Sequence, residues 1–143
     1  LEYTQRTVTN AGAENTTIVR PGSALVGCIG NIGKMAKTPV RCAFNQQINA
    51  VEWSRCIDDD FGIAALAFTT PQMLALASST TVPILNKSSF SRIRLPVPPL
   101  EIQREYADFI SKLGIVRQPY RASLNSLHAL FASLEVSAFQ GGA

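Results

Sequence analysis

The stretch Gly27-Cys28-Ile29-Gly30-Asn31-Ile32-Gly33-Lys34-Met35 has the outline of a phosphate-binding loop: three glycines, a lysine directly after the last, and an apolar run in front. A nucleoside-triphosphate loop needs a glycine, four residues, then Gly-Lys-Ser/Thr. Counting back from Gly33-Lys34 puts Cys28 where the first glycine belongs, and Met35 stands where a hydroxyl should hold magnesium. Both departures remove chemistry, an inward-turning backbone N–H in one case and a metal ligand in the other. The dinucleotide fingerprint fails too, because the spacing is G-x-x-G-x-x-G rather than G-x-G-x-x-G. The glycines are expected to shape a tight turn between strands.

Nucleophilic and metal chemistry fare no better. Cys28, Cys42 and Cys56 stand fourteen residues apart without a C-x-x-C pair, and the one histidine, His128, is distant. A structural zinc site needs a tighter cluster, so three small buried thiols in a reducing cytoplasm are expected. A Cys28–His128 catalytic pair would require the C-terminal segment to fold back across a proline-rich boundary. Asp58-Asp59-Asp60 invites a cation, yet it directly precedes a helical run and no second ligand group accompanies it. Carboxylates at a helix start cap free N–H groups and suit the macrodipole, which is the role expected here. No metal or cofactor is expected.

The remaining chemistry is that of binding. Lys34, Lys37, Arg41, Asn45, Gln46 and Gln47 crowd one short stretch, and Asn86, Lys87, Arg92 and Arg94 a second. Cationic groups neutralise phosphates, while forked amides and guanidinium groups reach base edges. The same residue types also serve as solvated loops and strand edges. A net charge of +3 permits a polyanionic partner without demanding one.

These residues need elements to position them. From Arg6 to Trp53 the texture is β-like: 7–9, 17–19, 24–29 and 48–53 are rich in β-branched or apolar residues, separated by Asn10-Ala11-Gly12, Pro21-Gly22 and Gly30-Asn31. Pro21-Gly22-Ser23 favours a type II turn. Phe61–Phe68 reads as a helix, and Thr70-Pro71 starts another that reaches Ala77, with the hydroxyl as cap and proline in the first turn. Residues 78–91 read as loop. Ile93, Leu95 and Val97 alternate with Arg92, Arg94 and Pro96, the pattern of a strand with one basic face.

Pro96-Val97-Pro98-Pro99 is a stiff connector, and everything beyond it is helical. Ile102, Tyr106, Phe109, Ile110 and Leu113 mark one helix face. Gly114 and Pro119 predict a kink or short break. Tyr120, Leu124, Leu127, Phe131, Leu134 and Ala138 then step by four and three, a short heptad seam for a partner helix.

Bulk properties bound the class. At 143 residues, 46% hydrophobic and 16% charged, the chain has ample material for a core. Apolar runs such as 61–68 are far too short to cross a bilayer. The N-terminus carries no basic region followed by an apolar stretch, so neither a membrane nor a secretory signal is expected. The chain opens on Leu1, which points to a processed or excised piece.

The motifs together resemble the DNA-specificity subunits of type I restriction-modification enzymes, over essentially the whole chain. "VRPGSALVGCIGNIGKMA" looks like that family's strand, glycine turn and strand, and "FNQQINAV" is similar to its "NQ" strand start. "ILNKSSFSRIRLPVPPLEIQREYADFI" resembles the segment joining a target-recognition domain to a conserved helix. Its most specific part is Pro98, Pro99, Leu100 and Gln103. "SAFQGGA" looks like the family's helix end. Ile102 stands where the family usually has glutamate, with Glu101 one place earlier, and the usual glycine is missing from Ser79-Thr80-Thr81-Val82-Pro83.

The resemblance implies an α+β chain. Residues 1–97 would form the latter part of a small β-rich recognition domain with short helices, and 98–143 a long, kinked, coiled-coil-like spacer and docking helix. It implies a non-catalytic reader of double-stranded DNA that recognises one half of a bipartite site. The helix, through Tyr120, Leu124, Leu127, Phe131 and Leu134, would pair with a second recognition half or a second copy. It would also dock methyltransferase subunits, in an enzyme that includes restriction subunits. Within the family the DNA contacts lie in variable loops; Lys34, Lys37, Arg41, Asn45, Gln46, Gln47, Asn86, Lys87 and Arg92 are the expected ones. The competing reading is a helical assembly module with no DNA binding of its own.

Overall fold

The structure, a computed structural model, describes residues 7–78 and 81–140. Arg6, Ser79, Thr80 and the closing Gly141-Gly142-Ala143 lie outside the described residues. The fold is α+β, as expected.

Two small antiparallel sheets form the β part. β1 (Ile18–Val19) pairs with β4 (Cys42–Ala43), while β2 (Ala24–Gly27) lies between β3 (Met35–Lys37) and β5 (Ile48–Val51). Val26, at the centre, faces Met35 on one side and Asn49 on the other. β3 and β4 carry no apolar alternation of their own, so only pairing with a neighbour makes them strands. Gly22 takes φ 86°, as a type II turn requires. Residues 7–9 do not form the expected strand. Thr9 instead caps α1 (Asn10–Glu14), its hydroxyl accepting the Gly12 N–H at 3.1 Å.

The core gathers Ala24, Val26, Cys28, Ile32, Trp53, Leu66, Met73 and Leu85. α2 (Asp59–Phe68) is capped by Asp58, whose carboxylate accepts the N–H groups of Asp60 and Phe61 at 3.0 and 3.1 Å. Gly62 brings this helix hard against the Trp53 ring: a Cβ there would lie 2.7 Å from two ring carbons. α3 (Thr70–Leu76) has Pro71 in its first turn, but Thr69 occupies the cap position. The Thr70 hydroxyl donates back to Ala67 O at 2.8 Å instead.

The 78–91 segment is less irregular than its composition predicts. Ile84 bridges to Ile29, and Asn86 caps a single turn, α4 (Lys87–Phe90). Residues 92–97 are not a strand. Ile93 and Leu95 pack on the core while Arg92, Arg94 and Pro96 stay exposed, so the alternation reports an extended chain lying on the surface, with no partner ladder.

α5 (Leu100–Gln140) runs 41 residues through both Gly114 and Pro119, so of the expected kink or short break there is no break. Proline has no N–H to give, so the Ile115 carbonyl goes without its usual intrahelical donor. The chain divides into two compact units, Leu1–Arg104 and Glu105–Ala143. The first turn of α5 therefore belongs to the N-terminal unit. The cysteines are not uniformly buried: Cys28 is, Cys42 is half-buried and Cys56 is exposed. Burial pushes the Cys28 and Cys42 thiols above the ordinary value, against nucleophilic use.

Candidate nucleic-acid interface

Three loops converge at the Gly27 end of β2. The Cys28 N–H donates to Gln47 O at 2.9 Å, the Leu85 N–H to Cys28 O at 2.8 Å, and the Gly30 N–H to Pro83 O at 3.0 Å. The Asn49 side chain adds a bond from Nδ2 to Leu85 O at 3.3 Å. These bonds tie the glycine turn, the Asn45–Gln47 turn and the segment before α4 into one surface. Lys34, Asn45, Gln46, Gln47, Asn86 and Lys87 are all exposed there. The glycines do form a turn between strands, with Gly30 at φ 70° and Gly33 at φ 81°. Gly33 also leaves room for Thr70, whose methyl would meet a Cβ at 2.6 Å.

The amides at this end are in different states. Asn45 Oδ1 accepts the Gln47 N–H at 3.1 Å, and Asn86 Oδ1 accepts the Ser89 N–H at 2.8 Å. Both oxygens are engaged in shaping their own loops. Lys37 lies at the opposite end of the β2–β3 ladder, opposite Ala24, and its ammonium is ion-paired with Asp60. Arg41 is exposed in the β3–β4 connection, and Arg92 follows α4 with Nη2 on Ser89 Oγ at 3.2 Å.

Near that opposite end sits Arg20, which no motif singles out. Its guanidinium grips Asp59 with two bonds, Nη1–Oδ2 at 2.8 Å and Nη2–Oδ1 at 2.7 Å, and its carbonyl accepts the hydroxyls of Ser23 and Thr38, both at 2.8 Å. The Asp59 carboxyl is held below the usual carboxylate range, chiefly by these hydrogen bonds. Capping therefore explains Asp58 alone: Asp59 pairs with Arg20 and Asp60 with Lys37. No group of three or more metal-ligating side chains occurs among the described residues. Thirty-nine residues separate Arg20 from Asp59, so no local spacing could have announced the pair.

Gln103 was legible only as part of a motif. It is fully buried, and its amide makes three bonds to backbone: Oε1 accepts the Asp58 N–H at 2.9 Å, while Nε2 donates to Cys56 O at 3.0 Å and Pro98 O at 2.7 Å. The helical unit contrasts with this. Tyr120, Leu124, Leu127, Phe131 and Leu134 are all more than half exposed. No helix among the described residues is long and apolar enough to cross a membrane.

The chain thus combines a small β unit whose loops expose amides and cations with a long helix that exposes an apolar stripe. The chain belongs to the type I restriction modification DNA specificity domain family, whose model it matches over residues 3–118. Its fold is similar to a chain from a structural study of complex assembly and conformational transition in the type I R-M system, with TM-score 0.67, 19% identity and 82% of this chain covered. It is also similar to the HsdS subunit from Thermoanaerobacter tengcongensis, with TM-score 0.59, 16% identity and 88% of this chain covered. The chain spans 29% and 31% of the length of those two structures.

Proposed function

We propose that this chain is part of a specificity subunit that reads one half of a bipartite DNA site and docks methyltransferase subunits, without catalysis of its own. The observation that carries the reading is the family match over residues 3–118, which takes in both the loop surface and the start of α5. Physics supports it at the loop end. Lys34 and Lys87 are exposed with no ion pair among the described residues, so they are available to phosphates. Exposed amides stand beside them on loops pinned by backbone bonds.

The helix carries the docking part of the proposal. Because α5 is uninterrupted, the apolar stripe extends back from Tyr120 through Val116, Leu113 and Phe109. Its steps of four and three are broken once, where Val116, Tyr120 and Leu124 give two fours in succession, a stutter that relaxes a supercoil locally. Such a stripe needs a partner helix, from a second recognition half, a second copy or the methyltransferase.

The test is fluorescence anisotropy of labelled duplexes with the full-length subunit in its assembled enzyme. Binding that prefers one sequence, and whose logarithm falls linearly with the logarithm of salt, supports the reader. Binding through the methyltransferase alone, unchanged by removal of this unit, supports the assembly-module alternative instead.

A further inference from the structure

The turn between β2 and β3 carries a side chain outside the expected set. Asn31 stands at its tip, exposed, with an ordinary backbone conformation between two glycines of positive φ. The turn is wound tightly on itself. Gly27 N–H donates to Lys34 O at 2.8 Å, Gly33 N–H to Gly27 O at 3.2 Å, and Lys34 N–H to Asn31 O at 3.3 Å. A Cβ on Gly27 would stand 2.5 Å from Asn31 O, so the backbone is closed beneath the tip. The Asn31 backbone N–H donates to Ile29 O at 2.8 Å, while its side-chain amide makes no hydrogen bond among the described residues.

Reading a base edge by a forked amide uses one oxygen lone pair and one amide hydrogen, and the fork must be free to turn towards the base rather than held by a bond to its own loop. That requirement sorts the amides of this surface. Asn45 and Asn86 have their oxygens engaged, and Asn49 has its nitrogen engaged. Asn31, Gln46 and Gln47 remain. They lie on two turns held together by Cys28, through its N–H to Gln47 O and its thiol to Gln46 O at 3.7 Å. A fork on a rigid turn loses little freedom on binding, which favours it over one on a loose loop.

We infer that Asn31 is a specificity-determining residue that reads an adenine edge in the major groove, with Gln46 and Gln47 beside it on the same surface. The inference rests on the proposed DNA-reading role. Asn31 Oδ1 would accept from adenine N6 and Nδ2 would donate to N7, the pairing that adenine's donor–acceptor pattern selects. Lys34, three residues on and exposed, would hold the turn to the adjacent phosphates.

The test is selection of bound duplexes from a randomised pool by the full-length subunit in its assembled enzyme, comparing wild type with Asn31→Ala and Asn31→Asp. Both variants should relax one A·T position by about ten-fold or more. Substituting 7-deazaadenine at that position should weaken the wild type and leave Asn31→Ala indifferent, because the N7 acceptor is already unread. Asn31→Asp keeps the shape of the turn and carries the test if Asn31→Ala misfolds by circular dichroism. A wild type that selects a sequence, with variants that select the same one equally sharply, overturns the inference and leaves the DNA-reading role intact. Relaxation confined to a G·C position overturns the adenine assignment. A wild type that selects nothing refutes the DNA-reading role itself, and the inference with it.

Discussion

Gln103 Oε1 accepts the backbone N–H of Asp58 at 2.9 Å, so the residue that caps α2 is itself held by the first turn of α5. The amide nitrogen of Gln103 closes the junction on Cys56 O and Pro98 O. Replacing it with leucine would take these partners from one N–H and two carbonyls in a partly buried junction. Each orphaned group costs roughly 1–3 kcal/mol where water cannot replace the bond. Gln103→Leu should lower the stability of the N-terminal unit by about 1–3 kcal/mol, read as a fall in the urea midpoint. A change within error would mean that water enters the junction freely.

Asp59 gives the N-terminal unit an acid-sensitive contact. Its carboxyl is held low by Arg20, so the folded state binds its proton less readily than the unfolded chain. That contribution is complete above the ordinary carboxylate value, about 4, and is lost as pH falls through the lowered Asp59 value. Asp59→Asn should flatten the acid limb of stability against pH. Both side chains are partly exposed, so the effect should also shrink with added salt. An unchanged acid limb in the variant would show that other carboxylates set it.

Lys34, just before β3, and Lys37, its last residue, should behave differently towards DNA. Lys34 is exposed with no ion pair among the described residues, whereas Lys37 is held by Asp60. Lys34→Ala should lower the slope of log affinity against log salt by about one, uniformly across sequences. Lys37→Ala should lower it less, because its charge is already partly neutralised. Equal slopes for both variants and wild type would remove this end of the sheet from the phosphate contacts.

The helical stripe should be separable from the fold of the N-terminal unit. Leu127→Asp with Leu134→Asp places two charges on a seam whose large side chains are each worth about 1.5–3 kcal/mol when buried. Association measured by sedimentation should be abolished, while the β signal in circular dichroism persists. A wild type that stays monomeric and binds no methyltransferase subunit would refute the docking role.

The close packing of Gly62 on Trp53 should tolerate no added methyl group. Gly62→Ala is expected to cost about 1–3 kcal/mol through overpacking, beyond any gain in helix propensity. Thermal unfolding followed by Trp53 fluorescence reads it directly, and an unchanged or raised midpoint would mean that the ring yields.

Much of this protein was determined by local chemistry that the sequence spells out. Asp58 before an apolar run caps α2, Pro21-Gly22 turns with glycine at positive φ, and the glycines at 30 and 33 bend the β2–β3 connection, because each depends on neighbouring backbone alone. The family motifs were legible for the same reason, being contiguous. Tertiary structure decided what depends on distant partners. Cys42–Ala43 became a strand because β1 offered it a ladder, while 92–97 alternates correctly and found none. Gly114 and Pro119 allow a kink or a short break by local rules, and the helix continues through both without a break. Arg20, Lys37 and Gln103 owe their roles to groups 39, 23 and 45 residues away, Asp59, Asp60 and the N–H of Asp58. Side-chain type states what a residue could bind. Which atoms were still free to bind it was decided only when the chain closed on itself.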